Sequence, residues 1–566
     1  MRRWLALVLL AGLPALGAAP RSLDECDARV LADPDQLDGY RCYWFVARNT
    51  AGWQDAERRL ESRLALEPEN HNARLVLGAI GADLGEARAE SLLREAAAGF
   101  LRDRHAEGEV HARVTLAVFL RLRGRHADAL AELERALARA EEDGDEALQS
   151  EARIQLGWQA YHERDYGRAW SLLKRAEAAL SASGPLYLRL EIVDGLAAVA
   201  WALGRTAEAL DTYQREIGLL GSSDPYRAAS VRRNIAVVAL ELADAGEMSA
   251  AEVTRIADET LAAALRNGNR RAEAGARNVL ARLRGAPGAQ VEAERALAIA
   301  REINNTSDLC TALSAVAEAK LDADPARNAG AALDLLDELL GIARARADAE
   351  AYARGMLTRA ALRWRTGPRG QAVAEGLAAL DAIEDIRDRQ PDRATRVAVF
   401  GRFADAYREL AARLAPPPPA SAAREDLELA FTVSERMRAR ALLDAFDAAG
   451  ATPALAPAGA PAGRRAETLS RISGLQRSLM QGGLDEVERA ALLSQLEVAE
   501  SEERALRDEI ARSDARFASL RRPGLAGLAE LQAALAEDQA LLSFLVPANP
   551  RSRDGAGRVL VVTRAS

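Results

Sequence analysis

Lysine and aromatic side chains are scarce in this chain of 566 residues. Only Lys174 and Lys320 are lysine among its 75 basic residues, and aromatic residues make up 4%. The formal net charge is −9, and acidic and basic residues alternate along the sequence. The chain therefore lacks the basic patch that nucleic-acid binding requires. Ala, Leu, Arg and Glu dominate instead, a composition that favours long helices over sheet.

Histidine and cysteine are also few, and they stop early in the chain. The last of each is His162 and Cys310. None of them shows a metal-binding spacing such as HExxH, so we expect no metal and no cofactor. Cys310 is expected to be a small core residue. The histidines stand mostly beside charged residues, and we expect them in turns or on exposed helix faces; they are His71, His105, His111, His126 and His162.

Three stretches of the chain repeat one another without gaps at a spacing of 40 residues. In each, a leucine followed by a small residue precedes a central alanine. Small residues are needed where the axes of two packed helices approach within about 8–10 Å, so we expect each copy to be an antiparallel pair of helices. The leucines are Leu116, Leu156 and Leu196, the small residues include Gly157, and the central alanines are Ala129, Ala169 and Ala209.

A second repeated position lies seven residues after each central alanine. It is alanine in two copies, at Ala136 and Ala176, and glutamate in the third, at Glu216. Larger side chains are expected to fill the spaces between successive repeats. Those with suitable positions are Trp158, Trp170, Trp201 and Tyr213.

This pattern of leucine, small residue and two alanines resembles the tetratricopeptide repeat (TPR) in its longer form of about 40 residues. The resemblance covers residues 22–415 and implies an all-α superhelical solenoid of about nine helical pairs. The concave wall of such a solenoid is its usual binding surface, so a protein or peptide partner is expected there. One familiar use, a clamp of Asn and Lys on a carboxylate, is not expected. The Asn positions of that clamp hold Val118, Trp158 and Ala198, and lysine is nearly absent.

The N-terminus has two arginines, an apolar run from Trp4 to Leu16 and a group of small residues. This is the layout of a secretory signal peptide, residues 1–17, with cleavage expected after Gly17. The mature protein would then be periplasmic or extracellular. A membrane anchor is the alternative, although the run is short, because a helix needs about 20 apolar residues to span a bilayer.

Cys26 and Cys42 lie eight residues on either side of Pro34. If the chain turns at this proline between two antiparallel helices, both thiols lie at the same height on facing helices. That arrangement suits the roughly 5.5–6 Å Cα separation that a disulfide prefers. We therefore expect a disulfide between Cys26 and Cys42, in keeping with an oxidising compartment. Two buried free thiols are the alternative.

Four prolines at 416–419 end the repeat region. A connecting helix at 421–449 contains the sequence SERMRARALLD, and a linker rich in Pro, Ala and Gly separates it from a helical stretch at 464–520. Apolar residues in the last helix of that stretch alternate at spacings of four and three. Glu503 and Ser513 interrupt this stripe. An intramolecular helical hairpin is therefore favoured over a long dimeric coiled coil.

Two strand-like runs close the chain, at 540–546 and 558–563. A lone hairpin of short strands is only marginally stable in water, so these runs look like the first strands of a larger α/β sheet. Together with the SERMRARALLD helix and the helical hairpin, they resemble the region that leads into a CHAT domain. CHAT is a caspase-like peptidase module that occurs in some TPR proteins. The matching residues of the helix are Glu435, Arg436 and residues 438–444.

The resemblance implies that residues 524–566 begin a CHAT-like domain that is incomplete in this chain. CHAT peptidases use a His–Cys dyad, and no residue here can be assigned to it, since no histidine follows His162 and no cysteine follows Cys310. The chain is therefore expected not to be an enzyme. It would be a scaffold for protein–protein interaction and the non-catalytic part of a CHAT-type peptidase. A stand-alone exported TPR scaffold or sensor is the alternative.

Overall fold

A computed structural model of the chain describes residues 20, 22–449 with short gaps, scattered positions between 463 and 509, and residues 528–545 and 557–564. The gaps fall at 51, 124, 164, 181–183, 223, 286, 304, 346–347, 389–392 and 417–421. Almost all described residues are helical, and two strands occur among them, which confirms the prediction of an all-α chain that ends in two strands. The expected signal peptide at 1–17 and most of the linker at 451–463 lie outside the described residues.

The helices follow one another with short connections. They are α1 (Leu23–Ala32), α2 (Leu37–Thr50), α3 (Trp53–Leu66), α4 (His71–Leu84), α5 (Arg88–Arg102), α6 (Ala106–Leu122), α7 (His126–Asp143), α8 (Glu146–His162), α9 (Tyr166–Ala179), α10 (Leu186–Ala202), α11 (Thr206–Leu220), α12 (Pro225–Asp244), α13 (Ala250–Arg266), α14 (Arg270–Leu283), α15 (Gly288–Ile303), α16 (Thr306–Ala323), α17 (Pro325–Ala345), α18 (Ala349–Thr366), α19 (Arg369–Asp388), α20 (Arg393–Leu414), α21 (Arg424–Ala449) and α22 (Leu528–Ala534), and the strands are β1 (Ala540–Leu545) and β2 (Arg558–Thr563).

Side chains and glycines at the helix ends explain where many helices begin and stop. The carboxylate of Asp145 accepts hydrogen bonds from two backbone amides of the first turn of α8, and Asp165 and Asp224 each accept one such bond at the start of α9 and α12. Such caps satisfy backbone amides that have no partner inside the helix. Helices α4 and α7 end at Gly85 and Gly144, whose φ angles of 76° and 78° favour glycine.

The chain divides into two compact units. Unit 1 consists of Met1–Trp201 and Arg205–Ala319, and unit 2 consists of Lys320–Ser566 with Ala202–Gly204. In unit 1 consecutive helices pack against each other as antiparallel pairs. We call the even-numbered helices from α2 to α16 the first helices and the odd-numbered ones after them the second helices. First helices also contact the first helix of the next pair, as α2 does with α4, α4 with α6, α6 with α8 and α12 with α14.

Small residues lie where the helices of a pair approach most closely. Ala129, Ala169 and Ala209 are fully buried. Gly157 of α8 faces α9 so closely that a Cβ atom there would lie 3.0 Å from Leu173 Cγ and 3.5 Å from the carbonyl oxygen of Ala169. Leu116, Leu156 and Leu196 are also buried. The repeated residues therefore sit at the interior contacts between helices.

Aromatic side chains fill the space between successive pairs. Tyr213 is buried in one apolar cluster with Ala209 and Val231, and Trp170 and Trp201 pack against this cluster from the side. The cluster joins α10, α11 and α12, so its members belong to two repeats. Burial across the junction between repeats is what holds a solenoid together.

The N-terminal helices of unit 1 are joined covalently. Cys26 of α1 and Cys42 of α2 form a disulfide with a Cα–Cα distance of 5.3 Å. Both residues are fully buried. Cys310, the remaining cysteine, is buried in α16 and is not part of a disulfide.

Unit 2 continues with helix pairs and ends in a small sheet. Helices α18 and α19 form an extensive antiparallel contact, and α21 packs on α20. Strands β1 and β2 pair antiparallel, with Leu542 opposite Val561 and Phe544 opposite Val559. Among the scattered positions of 463–509, Ile472 and Leu475 pack with Ala499, as the two arms of a helical hairpin would.

One face of the two-stranded sheet is apolar and open to solvent. Leu542, Phe544, Val559 and Val561 lie on it and are 52%, 56%, 46% and 57% exposed. A contiguous exposed apolar face of this kind promotes association. We therefore expect the chain to self-associate through it.

Placing lysine at both Leu542 and Val561 should raise the concentration needed for this self-association by about tenfold or more, because two charges would have to be desolvated at the contact. Sedimentation velocity over a concentration series measures the effect. The matched control is Leu265→Lys, at an isolated exposed leucine of α13. Equal sedimentation of the wild type and the double variant would contradict the prediction.

Candidate functional site

The first helices of unit 1 form one continuous surface, which we call the inner wall. It comprises the side chains that α6, α8, α10, α12, α14 and α16 present to one another between Glu107 and Asp308. Among the described residues, no second helix makes a comparably extensive contact with the next second helix. The first helices therefore lie on the inside of the curved stack, where solenoid proteins usually bind their partners.

Side-chain bonds connect neighbouring repeats along the inner wall. His111 of α6 bonds to Glu151 of α8 at 2.9 Å, and Trp201 of α10 donates to Glu241 of α12 at 2.8 Å. Both pairs are 40 residues apart, so each joins equivalent positions of successive repeats. Arg121 of α6 donates to the side-chain oxygen of Gln155 at 3.2 Å. These bonds fix the orientation of the wall before any partner arrives.

A buried imidazole lies at one end of the wall. Burial opposes a charge on His111, but the carboxylates of Glu151 and Glu107 outweigh this and raise its pKa. The hydrogen bond with His111 holds the pKa of the Glu107 carboxyl at about 2. The three groups thus form one connected unit of hydrogen bonds and ion pairs.

A larger network, which we call the central cluster, occupies the middle of the wall. Arg227 of α12 bonds to Glu191 of α10 at 3.0 Å and to Glu216 of α11 at 2.9 Å. Arg271 of α14 bonds to Asp308 of α16 at 2.7 Å, and Arg233 approaches the same carboxylate at 3.4 Å. With Asp194 of α10, which lies within electrostatic range of all three arginines, the cluster comprises Glu191, Asp194, Glu216, Arg227, Arg233, Arg271 and Asp308.

A glycine in α14 makes room for the side chain of one of these arginines. A Cβ atom at Gly275 of α14 would lie 2.4 Å from Cγ and 2.5 Å from Cδ of Arg233. The Arg233 side chain therefore lies against the backbone of α14. Through this path it reaches Asp308, which is 75 residues away in sequence.

Burial perturbs the ionisation of the central cluster. It raises the pKa of Asp194 against the opposing effect of the three arginines. Burial and the Asp194 carboxylate both raise the pKa of Glu216, while Arg227 opposes the shift. Burial and the nearby Arg271 lower the pKa of Arg233 to about 10. Burial thus disfavours the charged forms of Asp194, Glu216 and Arg233.

Comparisons with known proteins show only distant similarity. The chain matches no family model, and no curated protein matches it. It is similar to the structure of a STAND protein with a tetratricopeptide repeat sensor from Pyrococcus horikoshii, at 16% identity over 64% of this chain and 53% of that chain, with a TM-score of 0.37. This chain therefore spans about half the length of that protein.

Two further solved structures are similar at the same low level. A Rap protein complexed with Competence and Sporulation Factor shares 14% identity over 70% of this chain and 99% of that chain, with a TM-score of 0.43. The APC/C hetero-tetramer Cut9-Hcn1 shares 13% over 74% and 96%, with a TM-score of 0.21. At these TM-scores the similarities support no functional argument. The function must therefore be argued from the residues of the inner wall.

Two further properties of the described residues bear on the kind of site. No group of three or more His, Cys, Asp or Glu side chains among them is arranged to hold a metal ion. No helix in this part of the chain is both long and apolar enough to cross a membrane.

Several residues lie in surroundings that differ from those predicted from the sequence. His71 and His111 are buried, so the expectation of exposed histidines is wrong for these two. Glu216, which interrupts the alanine pattern, is fully buried in the central cluster. Of the three positions considered for a clamp, Trp158 is half-buried on the wall and bonds to Glu191, while Val118 and Ala198 are buried.

The raised carboxyl pKa values predict how Asp194→Asn changes stability with pH. A carboxyl with a raised pKa in the folded state contributes stability that is full below its ordinary value of about 4 and is lost as pH rises through the folded value. Asn cannot ionise, so the variant should be more stable than the wild type by about 1 kcal/mol near pH 7. The difference should vanish near pH 4.

Urea denaturation at both pH values, followed by circular dichroism, measures this difference. Glu259→Gln, at an exposed carboxylate of α13, is the matched control and should change stability little at either pH. A wild type that is more stable than Asp194→Asn near pH 7 would show that the Asp194 carboxylate is well compensated, against the prediction.

Proposed function

We propose that this chain is a protein-interaction scaffold and that the inner wall of unit 1 binds an extended segment of a partner protein. One observation carries the proposal. Half-buried Trp158, Tyr161 and Trp201 line the wall together with arginines, and bonds between successive repeats hold the wall in place. Tryptophan, tyrosine and arginine are the residues that contribute most binding energy at protein interfaces. A wall that is already ordered also lowers the entropy lost on binding.

Site-specific photo-crosslinking tests the wall as the binding surface. A benzoylphenylalanine residue is placed at Tyr161 on the wall, at Ala262 on the exposed side of α13, and at Val498 in the helical hairpin. We expect a crosslinked partner at position 161 and none at position 262. A partner captured chiefly at position 498 would contradict the proposal.

We further propose that unit 2 ends in the non-catalytic front of a CHAT-type peptidase. The supporting observation is a contact made by the SERMRARALLD segment itself. Ser543 of β1 donates to Glu435 of α21 at 3.0 Å, and Arg438 donates to Ser543 at 2.8 Å and to the backbone carbonyl of Phe544. The residues that carry the resemblance therefore hold the first strand of the sheet.

Removing this contact should loosen β1. In Arg438→Ala, the buried Ser543 hydroxyl loses one partner and the Phe544 carbonyl loses another. We expect hydrogen exchange of the β1 amides to become about tenfold faster, which corresponds to about 1.4 kcal/mol. Arg424→Ala, which removes an exposed arginine near the start of α21, is the control. Unchanged exchange in β1 would mean that the contact does not hold the strand.

The absence of catalysis is part of the proposal and has its own test. The chain should not hydrolyse peptide substrates, because the His–Cys dyad of the CHAT resemblance cannot be assigned to its residues. Hydrolysis that persists after Cys310→Ala would refute the assignment, since the other two cysteines form the disulfide.

We also propose that the chain is exported from the cytosol. The N-terminal layout of arginines, apolar run and small residues supports it, and so does the Cys26–Cys42 disulfide, because disulfides persist mainly outside the reducing cytosol. N-terminal sequencing of the mature protein should begin at Ala18. A mature protein that keeps Met1 and remains in the cytosol would contradict export.

A further inference from the structure

One of the bonds that join successive repeats on the inner wall depends on a proton. The ring of His111 on α6 lies between two carboxylates, with Nδ1 2.9 Å from Glu151 of α8 and Nε2 3.6 Å from Glu107 of α6. The side chains of His111 and Glu151 are each only 4% exposed, so water has little access to this pair. The junction between the two repeats therefore contains a buried group that can gain or lose a proton.

The chemistry of imidazole makes this junction sensitive to that proton. A protonated ring has an N–H on both nitrogens, whereas a neutral ring has one, so only the protonated ring can donate to Glu151 and Glu107 together. Even the bond that a neutral ring keeps loses the attraction of the positive charge. The bonds that Trp201 and Arg121 make along the wall lack this sensitivity, because an indole and a guanidinium keep their protons near neutral pH.

Charges on the neighbouring helices act on the same ring. Arg41 of α2 opposes the protonation of His111, and Glu107 and Glu151 favour it. The effect of the carboxylates prevails over burial and over Arg41, so the pKa of His111 is raised. Arg41 is itself paired with Asp38 at 3.0 Å, which offsets part of its charge.

Two further titratable groups lie near these side chains. Tyr187 of α10 is within electrostatic range of Glu107, Glu151 and Arg41, and burial raises its pKa above the ordinary value of 10, so it stays protonated near neutral pH. His105 accepts a hydrogen bond from a backbone amide at the start of α6, and its titration would disturb that cap rather than the bond to α8. Within the described residues, no charged group of α4, α5 or α7 is among the strongest influences on the ring.

We propose that His111 and its two carboxylates form a proton-dependent latch between α6 and α8, which closes when the ring is protonated and opens as the proton is lost. The latch bears on the binding surface, because Trp158 and Tyr161 follow Glu151 on α8 by seven and ten residues, which is two to three helical turns. Its effect on partner binding rests on the proposed function, whereas the latch itself does not.

The raised pKa gives the direction of the pH effect. A histidine whose pKa is raised by folding contributes stability that is complete below its unfolded value, about 6.5, and is lost as pH rises through the folded value. The contact between α6 and α8 should therefore be tightest in mildly acidic solution and weakest in alkaline solution.

Hydrogen exchange of the full chain tests the latch. Protection is compared at about pH 5.5 and about pH 9 after correction for the intrinsic exchange rates. In the wild type we expect protection of residues 106–117 and 146–157 to fall about tenfold at the higher pH. In His111→Gln, which cannot be protonated, it should be low at both pH values and differ less than about twofold between them. The matched control is His162→Gln, at an exposed histidine of α8, which should behave as the wild type does.

Histidine NMR gives a second, independent readout. In protein labelled with ¹³C at histidine, the signal that is missing in His111→Gln identifies this ring, and its chemical shift against pH gives its pKa. Glu151→Gln removes one negative charge and keeps the shape of the side chain, so it should lower this pKa by about one unit or more. Circular dichroism shows whether each variant is folded. If His111→Gln does not fold, Glu151→Gln takes its place in the exchange test and should show a smaller pH effect than the wild type.

The remaining outcomes would overturn the latch or the proposed function separately. An equal pH effect in the wild type and His111→Gln would place the titrating group elsewhere and overturn the latch. Protection that is constant or that rises with pH in the wild type would overturn it as well. If photo-crosslinking captures the partner away from the wall while the exchange and NMR results hold, the proposed function fails and the latch stands.

Discussion

Replacing Arg227 with alanine is expected to lower the free energy of unfolding of unit 1 by about 3–5 kcal/mol. Arg227 is the shared partner of Glu191 and Glu216, and both carboxylates are buried. Without the guanidinium, two adjacent buried carboxylates would face each other and Asp194, and of the bonds described here only that from Trp158 to Glu191 would remain. Such a loss is larger than the loss expected on removing an exposed ion pair. An unpaired charge costs more free energy in the low dielectric of the protein interior than in water.

Urea denaturation followed by circular dichroism measures this loss. Since contacts in a solenoid are local, the transition should also become broader as the repeats around α10 to α12 unfold first. Arg255→Ala is the matched control, because Arg255 pairs with Glu259 on the exposed side of α13 and should contribute about 0.5 kcal/mol or less. A loss below about 1 kcal/mol in Arg227→Ala would mean that the two carboxylates are protonated or solvated without the arginine.

A second comparison separates charge from packing. Replacing Arg227, Glu191 and Glu216 together with Met, Leu and Leu removes the ions while keeping most of the volume. Buried ion pairs often exchange for apolar residues without loss of stability, so this triple variant should recover most of what Arg227→Ala loses.

The helix pairs of unit 1 could be predicted because their contacts recur at a fixed spacing. Gly157 and Ala169 are small since the backbones of α8 and α9 meet there, and the same constraint acts at the equivalent residues 40 positions away. The recurrence of small residues every 40 positions thus indicates a tertiary contact from the sequence alone. The described helices and strands agree with that reading.

The central cluster could not be predicted in the same way, although one signal pointed to it. Glu216 stands where Ala136 and Ala176 stand in the preceding repeats. A glutamate at a buried position requires a partner. The partner, Arg227, belongs to the next pair of helices, and arginine is so frequent in this chain that its abundance hides the few that are buried.

The burial of His111 could not be predicted for a related reason. His111 stands among charged residues in the sequence, which usually indicates a solvated helix face. Its partner Glu151 comes from the equivalent position of the next repeat. Comparing the chemistry of residues 40 apart, rather than their size alone, would have revealed both this pair and Trp201 with Glu241.

In unit 2 the sequence resemblance indicates a helix, whereas the contacts of its side chains are known only from the structure. The resemblance of the SERMRARALLD segment indicates a helix before the strands, but it does not indicate which residues its charged side chains contact. In the structure, Arg436 bonds to Asp381 of α19 at 2.7 Å, whereas Arg438 turns to β1. Two arginines two positions apart thus serve opposite sides of α21, because two steps of about 100° place their side chains about 200° apart around the helix.

Replacing Ala169 with tryptophan is expected to destabilise unit 1 by about 3 kcal/mol, the upper part of the range for overpacking. Ala169 is fully buried where α9 meets α8. The facing residue is Gly157, and even a single added Cβ there would lie 3.0 Å from Leu173. An indole has no space at this contact, so the two helices must separate and lose part of their buried apolar surface.

Thermal or urea denaturation of Ala169→Trp measures the loss. The matched control is Ala262→Trp, at an exposed alanine of α13, which should change the free energy of unfolding by less than about 0.5 kcal/mol. If Ala169→Trp is as stable as the control, α8 and α9 do not cross at Ala169. The 40-residue register that links it to Ala129 and Ala209 would then be misplaced, because the same close contact is inferred at all three alanines.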